Sequence, residues 1–312
     1  MNSPTNNVAE YWSRKNESKA FSEAVYWLAN PVLQQRYQAQ ASAGRPYGHW
    51  IDYCAGEFLT PQAPLERLLS IGSGTGELER HLALKIAFKR MDGVDIAPRS
   101  IASAREQAKA KGLNNIHYFC RDIEKSGYPS ESYDAVFFNM SLHHMFDVDA
   151  ACQQAARALG PDGLLFANEY IGPNRFDFCL REREVLNGTF KLIPEKYRRS
   201  LSSEDQGKLI ETIQLPDPEA VAQADPSESV QSAEILSALE QHFTILALNP
   251  TGGTLFQFLL NKIAGNFHAG DPDSLQILEM LIQIEDTLLR QKYIEPHFAL
   301  IVAQPKRVSE SG

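Results

Sequence analysis

Hydrophobic and polar positions follow two different periods in the middle of the chain, and these two patterns alternate. Short apolar runs of the kind found in buried strands occur at 67–72, 89–95, 115–120, 133–139 and 163–170. Apolar residues at helical spacing fill 76–87, 98–111 and 147–159. This alternation predicts a parallel, doubly wound sheet that binds its ligands at the carboxyl ends of the strands.

The segments on both sides of this core depart from the alternation. Residues 8–59 have helical spacing, and 171–231 are rich in Pro, Arg, Glu and Ser. Strand patterns return at 242–248 and 297–303, separated by predicted helices near 254–266 and 273–291. Two helix starts are predicted, one at Asp225-Pro226-Ser227-Glu228 and one at Asp271-Pro272, because a capping residue followed by proline is typical there.

These patterns predict five segments along the chain. The expected division is an N-terminal helical cap (1–64), a cofactor-binding core (65–170), an inserted helical cap (171–231), a C-terminal part of the core with a helical insertion (232–305) and a tail (306–312). Because both caps flank the strand carboxyl ends, we expect them to cover the ligand.

The charge and composition of the chain argue against some classes of binding partner. The net charge is −9 and no long block of Lys or Arg occurs, which argues against a nucleic-acid substrate. No apolar run reaches membrane-spanning length, and the polar start of the chain does not resemble a secretion signal. The four cysteines form no CxxC pair and have no zinc-site spacing. We therefore expect a cytoplasmic protein with small-molecule partners; the composition does not predict its oligomeric state.

The stretch Leu68–Leu78 carries the main functional signal. It contains an apolar run, then Gly72, Gly74 and Gly76, and then a helical pattern. Glycines allow a sharp turn and let a ligand approach the backbone, and the N–H groups of the following helix favour an anionic group. This loop alone fits a dinucleotide, a mononucleotide or S-adenosylmethionine (SAM).

Polar residues stand at the ends of the next three strands. Asp95 ends the second strand, where a carboxylate can accept hydrogen bonds from both hydroxyls of a ribose. Asp122 follows the third strand and can accept from an adenine amine, while the next backbone N–H meets a ring nitrogen. Asn139 ends the fourth strand, and His143 and His144 follow it closely.

With these residues, the chain resembles the class I SAM-dependent methyltransferases, clearly over 65–170 and plausibly in the last two strands. The resemblance implies an α/β, Rossmann-like sheet of seven mostly parallel strands, with the last strand antiparallel, a helical cap, and SAM as cofactor. A nicotinamide cofactor is the alternative, but Asp122 has no standard role there. Ser70 departs from the family, which commonly has Asp or Glu at this position. The expected cofactor-binding residues are Ser70, Gly72, Ser73, Gly74, Gly76, Asp95, Ile96, Asp122, Ile123, Asn139 and His144.

Methyl transfer to oxygen, nitrogen or carbon is the usual reaction of this fold. It needs a pocket for the acceptor and in some cases a base, for which His143 or His144 is the candidate. No metal site is expected, because no cluster of carboxylates accompanies the two histidines in the sequence.

The chain also resembles the SAM-cyclising enzymes that make azetidine-2-carboxylate and release 5′-methylthioadenosine. That resemblance implies three catalytic residues: Asn139 and Ser203 would hold the attacking amine, and Phe176, where a Tyr is expected, would face the sulfonium. Cyclisation is the main prediction from the sequence. A small-molecule methyltransferase is the alternative, and a non-catalytic SAM-binding module is a third possibility.

Overall fold

The computed structural model describes residues 4–15, 25–128 and 132–306. The predicted tail, apart from Lys306, lies outside the described residues. Seven strands form one sheet: β1 (Leu65–Ile71), β2 (Phe88–Asp95), β3 (Ile116–Cys120), β4 (Tyr133–Asn139), β5 (Leu159–Tyr170), β6 (Phe243–Gly252) and β7 (Phe298–Pro305).

The order of strands across the sheet is β3-β2-β1-β4-β5-β7-β6. Strands β1 to β5 pair in parallel, whereas β7 lies antiparallel between β5 and β6. The order reverses between β1 and β4, which is the point where such sheets open a crevice for ligands. The predicted fold class, a mostly parallel seven-stranded sheet with an antiparallel last strand, is confirmed.

Twelve α-helices surround the sheet within the described residues. They are α1 (Pro4–Lys15), α2 (Pro31–Ala41), α3 (Trp50–Cys54), α4 (Glu77–Leu82), α5 (Pro98–Ala110), α6 (Ile123–Ser126), α7 (Val148–Ala158), α8 (Leu180–Phe190), α9 (Pro218–Ala224), α10 (Ile235–His242), α11 (Phe256–Leu259) and α12 (Pro272–Arg290). None of those helices combines the length and hydrophobicity needed to cross a membrane.

The central strands are apolar at successive positions because both faces of the sheet are covered. In β4, for example, Phe137 belongs to the core on one face, together with residues of α2, α3 and α5. Its neighbour Phe138 packs on the opposite face, where α7 and α10 contribute the covering side chains. A single strand thus joins two hydrophobic layers, and its carboxyl end is held firmly at the crevice.

Several predicted boundaries differ from the structure. The helix predicted at 76–87 is confined to α4, and the region near 254–266 forms only α11 and a short 3₁₀ turn at Ala264–Asn266. Strand β5 begins at Leu159, four residues before the predicted start at 163, and its first residue pairs with Tyr133. The helix start at Asp271-Pro272 is confirmed, with Asp271 Oδ1 accepting hydrogen bonds from the first turn of α12.

The predicted helix start at Asp225 is wrong, because residues 225–230 form a turn. Asp225 does accept hydrogen bonds from the Ser227 N–H and hydroxyl, as a capping residue would. Arg175 donates to the carbonyls of Asp225, Pro226 and Glu228, which a continuing helix would need for its own hydrogen bonds. Ser229, with φ of 50°, then turns the chain away from helical geometry.

Candidate active site

One cavity of about 720 Å³ opens at the carboxyl ends of β1, β2 and β4, and residues that follow β3 also line it. Its floor is the glycine loop, and its far walls come from α1, the turn at 225–230 and the entry to β7. Cavities of this size hold small ligands and cofactors. The crevice predicted from the strand order is therefore a covered chamber.

The glycine loop is fixed by backbone hydrogen bonds to the end of β2. The N–H groups of Gly72 and Ser73 both donate to the Val94 carbonyl, at 2.8 and 3.0 Å. Gly72 has φ of +71°, and a Cβ on it would lie 2.3 Å from the Ser141 Cβ. Gly74 has φ of +53° and open space around its missing side chain. Gly72 is thus required by packing, whereas Gly74 leaves room for a ligand.

Gly76 differs from the other two loop glycines, because it does not line the cavity. Its φ is +79°, and a Cβ there would lie 2.3 Å from the Tyr118 hydroxyl oxygen. The structure therefore does not place Gly76 among the other residues expected at the cofactor. This residue lets the loop pack closely on β3.

Asp95 lines the cavity and also holds the loop in place. Its Oδ2 accepts from Gly74 N–H at 2.8 Å and its Oδ1 accepts from Ala97 N–H at 2.7 Å. Burial raises the pKa of this carboxyl, while these backbone hydrogen bonds lower it. Each oxygen keeps a second acceptor site, so the placement is compatible with the predicted contact to ribose.

Asp122 has a structural role in addition to its place in the lining. It caps the short helix α6 by accepting from Lys125 N–H, and its Oδ2 pairs with the Lys125 ammonium at 2.9 Å. Ile123 lines the cavity beside it, as do four further residues expected at the cofactor: Ser70, Ser73, Ile96 and His144.

The three predicted catalytic residues do not come together. Asn139 lines the cavity and its Oδ1 accepts from Asn168 Nδ2 at 2.8 Å. Phe176 also lines the cavity, with φ of 57° and its ring centroid 5.0 Å from that of Tyr170. Ser203 is exposed on a turn outside the cavity lining. This turn is held elsewhere by the ion pair of Asp205 with Lys262 at 2.8 Å, which explains the departure.

The histidine pair lies between β4 and the turn at 225–230. His143 donates through Nδ1–H to Glu169 Oε2 at 2.6 Å, and Glu169 is fully buried at the end of β5. The other Glu169 oxygen accepts from the N–H groups of Ser141 and Leu142. These bonds hold a proton on Nδ1, so Nε2 is the ring nitrogen that faces Glu228, 3.7 Å from its Oε1.

His144 has its own oxygen partners in the same turn. The Ser227 hydroxyl donates to Asp225, so toward His144 Nδ1 it accepts, at 3.2 Å. Burial first, and the charge of His143 second, lower the pKa of His144 to about 4. His144 is therefore neutral at pH 7. Its ring centroid lies 4.8 Å from the Trp12 ring, so α1 covers it.

Sequence reasoning missed three carboxylates near the site, those of the fully buried Glu79 and Glu169 and of the partly buried Glu228. Glu169 could have been found, since it ends a strand adjacent to β4 and so must lie beside His143. Glu228 is brought there by the turn, so this carboxylate lies beside the two histidines in three dimensions. Glu79 is fully buried on α4, and no signal in its sequence context marks it.

Comparisons with known proteins agree with this geometry. Residues 69–167 match the family model described as a methyltransferase domain. An aklanonic acid methyltransferase from Streptomyces sp. (strain C5) is 31% identical over 137 residues, which cover 43% of this chain and 62% of that relative. A demethylmenaquinone methyltransferase from Thermus thermophilus is 30% identical over 115 residues, which cover 37% of this chain and 52% of the relative. The chain thus spans between half and two thirds of the length of these two relatives.

A solved structure is similar over nearly the whole chain. The geranyl diphosphate C-methyltransferase from Streptomyces coelicolor A3(2) has a TM-score of 0.52 and 11% identity, with 98% of this chain and 99% of that chain covered. At this identity the likeness concerns the fold alone. The domain match confirms SAM as the predicted cofactor and favours the methyltransferase alternative over cyclisation. Residues 69–167 thus match a methyltransferase domain, and the chain as a whole shares its fold with a methyltransferase of known structure.

Proposed function

We propose that this protein transfers the methyl group of SAM to a small-molecule acceptor. The observation that carries the proposal is the single cavity that joins two chemically different halves. The cofactor half contains the glycine loop, Asp95 and Asp122, and the acceptor half contains His143 and Glu228. A cofactor held by the first half would direct its reactive end toward the second.

Methyl transfer needs little covalent chemistry from the protein. A lone pair of the acceptor forms a bond to the methyl carbon, the carbon–sulfur bond breaks, and its electron pair stays on sulfur, which gives neutral S-adenosylhomocysteine. The acceptor loses a proton in the process. Alignment of the two reactants in a site that excludes water supplies most of the rate enhancement, and the aromatic walls provided by Trp12, Trp27 and Phe176 suit that role.

The charges in the lining indicate which acceptors fit. The basic residues of the lining are Arg121 and Lys125, which flank Asp122 in the cofactor half. In the acceptor half, the described residues supply aromatic rings, imidazoles and the Glu228 carboxylate. A phosphate or carboxylate group would find no Lys or Arg side chain there, so we propose a neutral or positively charged acceptor with aromatic or other apolar surface.

Cyclisation of SAM remains a second candidate, because Asn139 and Phe176 line the same cavity. Ser203 lies outside it, so one of the three groups implied by that chemistry is missing. With Oδ1 already accepting from Asn168, Asn139 has one acceptor site left for a substrate amine.

Product analysis tests the proposal. The purified protein is incubated with SAM alone, and then with SAM and a panel of neutral or cationic acceptors that carry hydroxyl or amine groups. We expect S-adenosylhomocysteine only when an acceptor is present. Methylthioadenosine and a cyclic amino acid formed from SAM alone would instead establish cyclisation and overturn methyl transfer. SAM binding without either product across the panel would indicate a binding module.

A further inference from the structure

The acceptor half of the cavity contains a preorganised group of metal-ligating side chains. One ligand atom each from His143, His144 and Glu228 lies within 4.8 Å of the others. We propose that these three residues bind a divalent transition-metal ion of the Zn²⁺, Fe²⁺ or Mn²⁺ type. Two imidazoles and one carboxylate form a ligand set that such ions use when positions are left open for water or substrate.

The orientation of the two rings supports ligation through Nε2. The Nδ1–H of His143 donates to the buried Glu169 carboxylate at 2.6 Å. The Nδ1–H of His144 donates to Ser227 Oγ, which in turn donates to Asp225. A ring whose Nδ1–H is held by a carboxylate or hydroxyl oxygen offers the Nε2 lone pair, and metal-binding histidines are oriented in this way.

A second, independent observation concerns Asp225. This residue is 2% exposed, and its Oδ2 has no hydrogen-bond partner among the described residues. Oδ2 lies 3.9 Å from His144 Nδ1, so it faces the ring that the metal would polarise. A buried carboxylate oxygen without a partner is costly, and a cation bound at the histidines would offset that cost.

The charges around the two histidines also favour a bound cation. Three carboxylates, those of Glu169, Asp225 and Glu228, surround the histidines. The guanidinium of Arg175 is the basic group packed on this turn among the described residues, and it donates hydrogen bonds to backbone carbonyls. A divalent cation would compensate the remaining negative charge and would fix the turn against β4.

Metal binding itself does not require the proposed function, but a role for the metal at the acceptor rests on it. An acceptor hydroxyl that coordinates the ion would lose its proton more readily and would be aligned for attack on the methyl carbon. The proton then goes to solvent or to a nearby carboxylate. Because one Nε2 cannot bind a metal and accept a proton, this proposal replaces the general-base interpretation of the histidines.

Cobalt titration of the full chain tests the site without any turnover. Co²⁺ bound to nitrogen and oxygen ligands has visible d–d absorption whose intensity reports the coordination number. We use a background in which the exposed Cys120 and Cys179 are serine, so that thiolate binding does not interfere. We expect one Co²⁺ per chain, displaced by Zn²⁺.

Matched variants locate the ion. Glu228→Gln keeps the shape of the side chain and should weaken Co²⁺ binding at least tenfold, as should His144→Ala. His242→Ala, which removes a histidine paired with Asp149 away from the cavity, should have no effect. Circular dichroism and thermal unfolding report whether each variant is folded. Absence of stoichiometric Co²⁺ binding, or equal affinity in Glu228→Gln, would overturn the site.

Activity assays distinguish a failure of the proposed metal site from a failure of the proposed methyl transfer. If Co²⁺ binds but no acceptor is methylated, the metal site stands and the methyl-transfer proposal fails. If methyl transfer continues at full rate in metal-free protein with a chelator, the role of the metal at the acceptor is overturned and a histidine base is favoured instead.

Discussion

Glu79 lies behind the glycine loop, fully buried, and neither of its carboxylate oxygens has a hydrogen-bond partner among the described residues. Burial raises its pKa to about 7, and the nearby Ser70 hydroxyl and the Arg80 charge oppose that shift. The family that the sequence resembles commonly has an acidic residue at position 70. In this chain a buried acid on the adjacent helix lies close to the serine that replaces it.

The raised pKa of Glu79 predicts a pH-dependent penalty for folding. Below pH 4.5 the carboxyl is protonated in both the folded and the unfolded chain, so no penalty arises. Between pH 4.5 and 7 the unfolded chain loses the proton first, and the folded state is progressively destabilised. We therefore expect Glu79→Gln to raise the free energy of unfolding by about 3 kcal/mol at pH 8 and by little at pH 4.5.

Urea unfolding at several pH values, without SAM, measures this difference. Glu106→Gln on the exposed face of α5 is the matched control, and its effect should be small and independent of pH. A gain for Glu79→Gln that is the same at pH 4.5 and pH 8 would contradict the argument.

At the scale of elements, the loop between β1 and α4 uses its glycines for different purposes. Gly72→Ala would place a methyl group 2.3 Å from Ser141 Cβ and would keep a positive φ. We expect it to cost about 2–5 kcal/mol of stability, from backbone strain and overpacking together. Gly74→Ala meets no atom within 4 Å and should cost only the strain, about 1–2 kcal/mol.

The same two variants should also differ in their affinity for SAM. The added methyl of Gly74→Ala enters the open space of the cavity, so SAM affinity should fall although the fold is retained. Thermal unfolding and calorimetry with SAM measure the two quantities. If Gly72→Ala and Gly74→Ala lose stability equally, the packing role assigned to Gly72 is incorrect.

The elements that the sequence predicts well are those specified by local patterns. Apolar runs predicted β1 to β4 closely. In β1, β2 and β4 successive residues are buried because both faces are covered, whereas the edge strand β3 alternates between buried and exposed residues. The helix start predicted at Asp225 is wrong because Arg175, fifty residues earlier, donates hydrogen bonds to the backbone carbonyls that a helix would have used. Ser203 lies outside the cavity lining for a similar reason, since the ion pair between Asp205 and Lys262 holds its turn elsewhere. Contacts between distant segments leave no periodic signal in either segment.

The residues of the candidate site divide in the same way, into those placed by local patterns and those placed by contacts between distant segments. Asp95 and Asn139 stand at strand ends, where topology alone brings them to the crevice. The contact of His143 with Glu169 also follows from neighbouring strand ends, although it requires the strand order to be known. Glu228 reaches the histidines through an irregular turn, so its place depends on tertiary structure.

At the scale of the whole molecule, the matched domain supplies only one side of the cavity. Residues 69–167 contain the glycine loop, Asp95, Asp122 and the histidines. The opposing walls come from α1, Tyr26, Phe176, Gln257 and Phe298, all outside the match. The match of residues 69–167 to a methyltransferase domain therefore bears on the cofactor, whereas acceptor specificity in the proposed reaction would depend on segments outside that match.

Strand β7 joins the two parts of the sheet, because it pairs with β5 on one side and with β6 on the other. A chain that ends at Pro296 would leave both partners with unpaired edges. We expect that truncated chain to be insoluble and to lack cooperative unfolding, whereas a chain that ends at Lys306 should fold. Soluble yield and thermal unfolding measure the effect. A soluble, cooperatively unfolding chain ending at Pro296 would contradict this.

The position of β7 also affects how the protein is made. Every other strand leaves the ribosome first, and about fifty residues follow β6 before β7 is complete. At about 5–20 residues per second, the nascent chain carries two open strand edges for roughly 3–10 s. Those edges can pair with other chains in that interval, so protection by a chaperone matters most before the last strand of the sheet emerges.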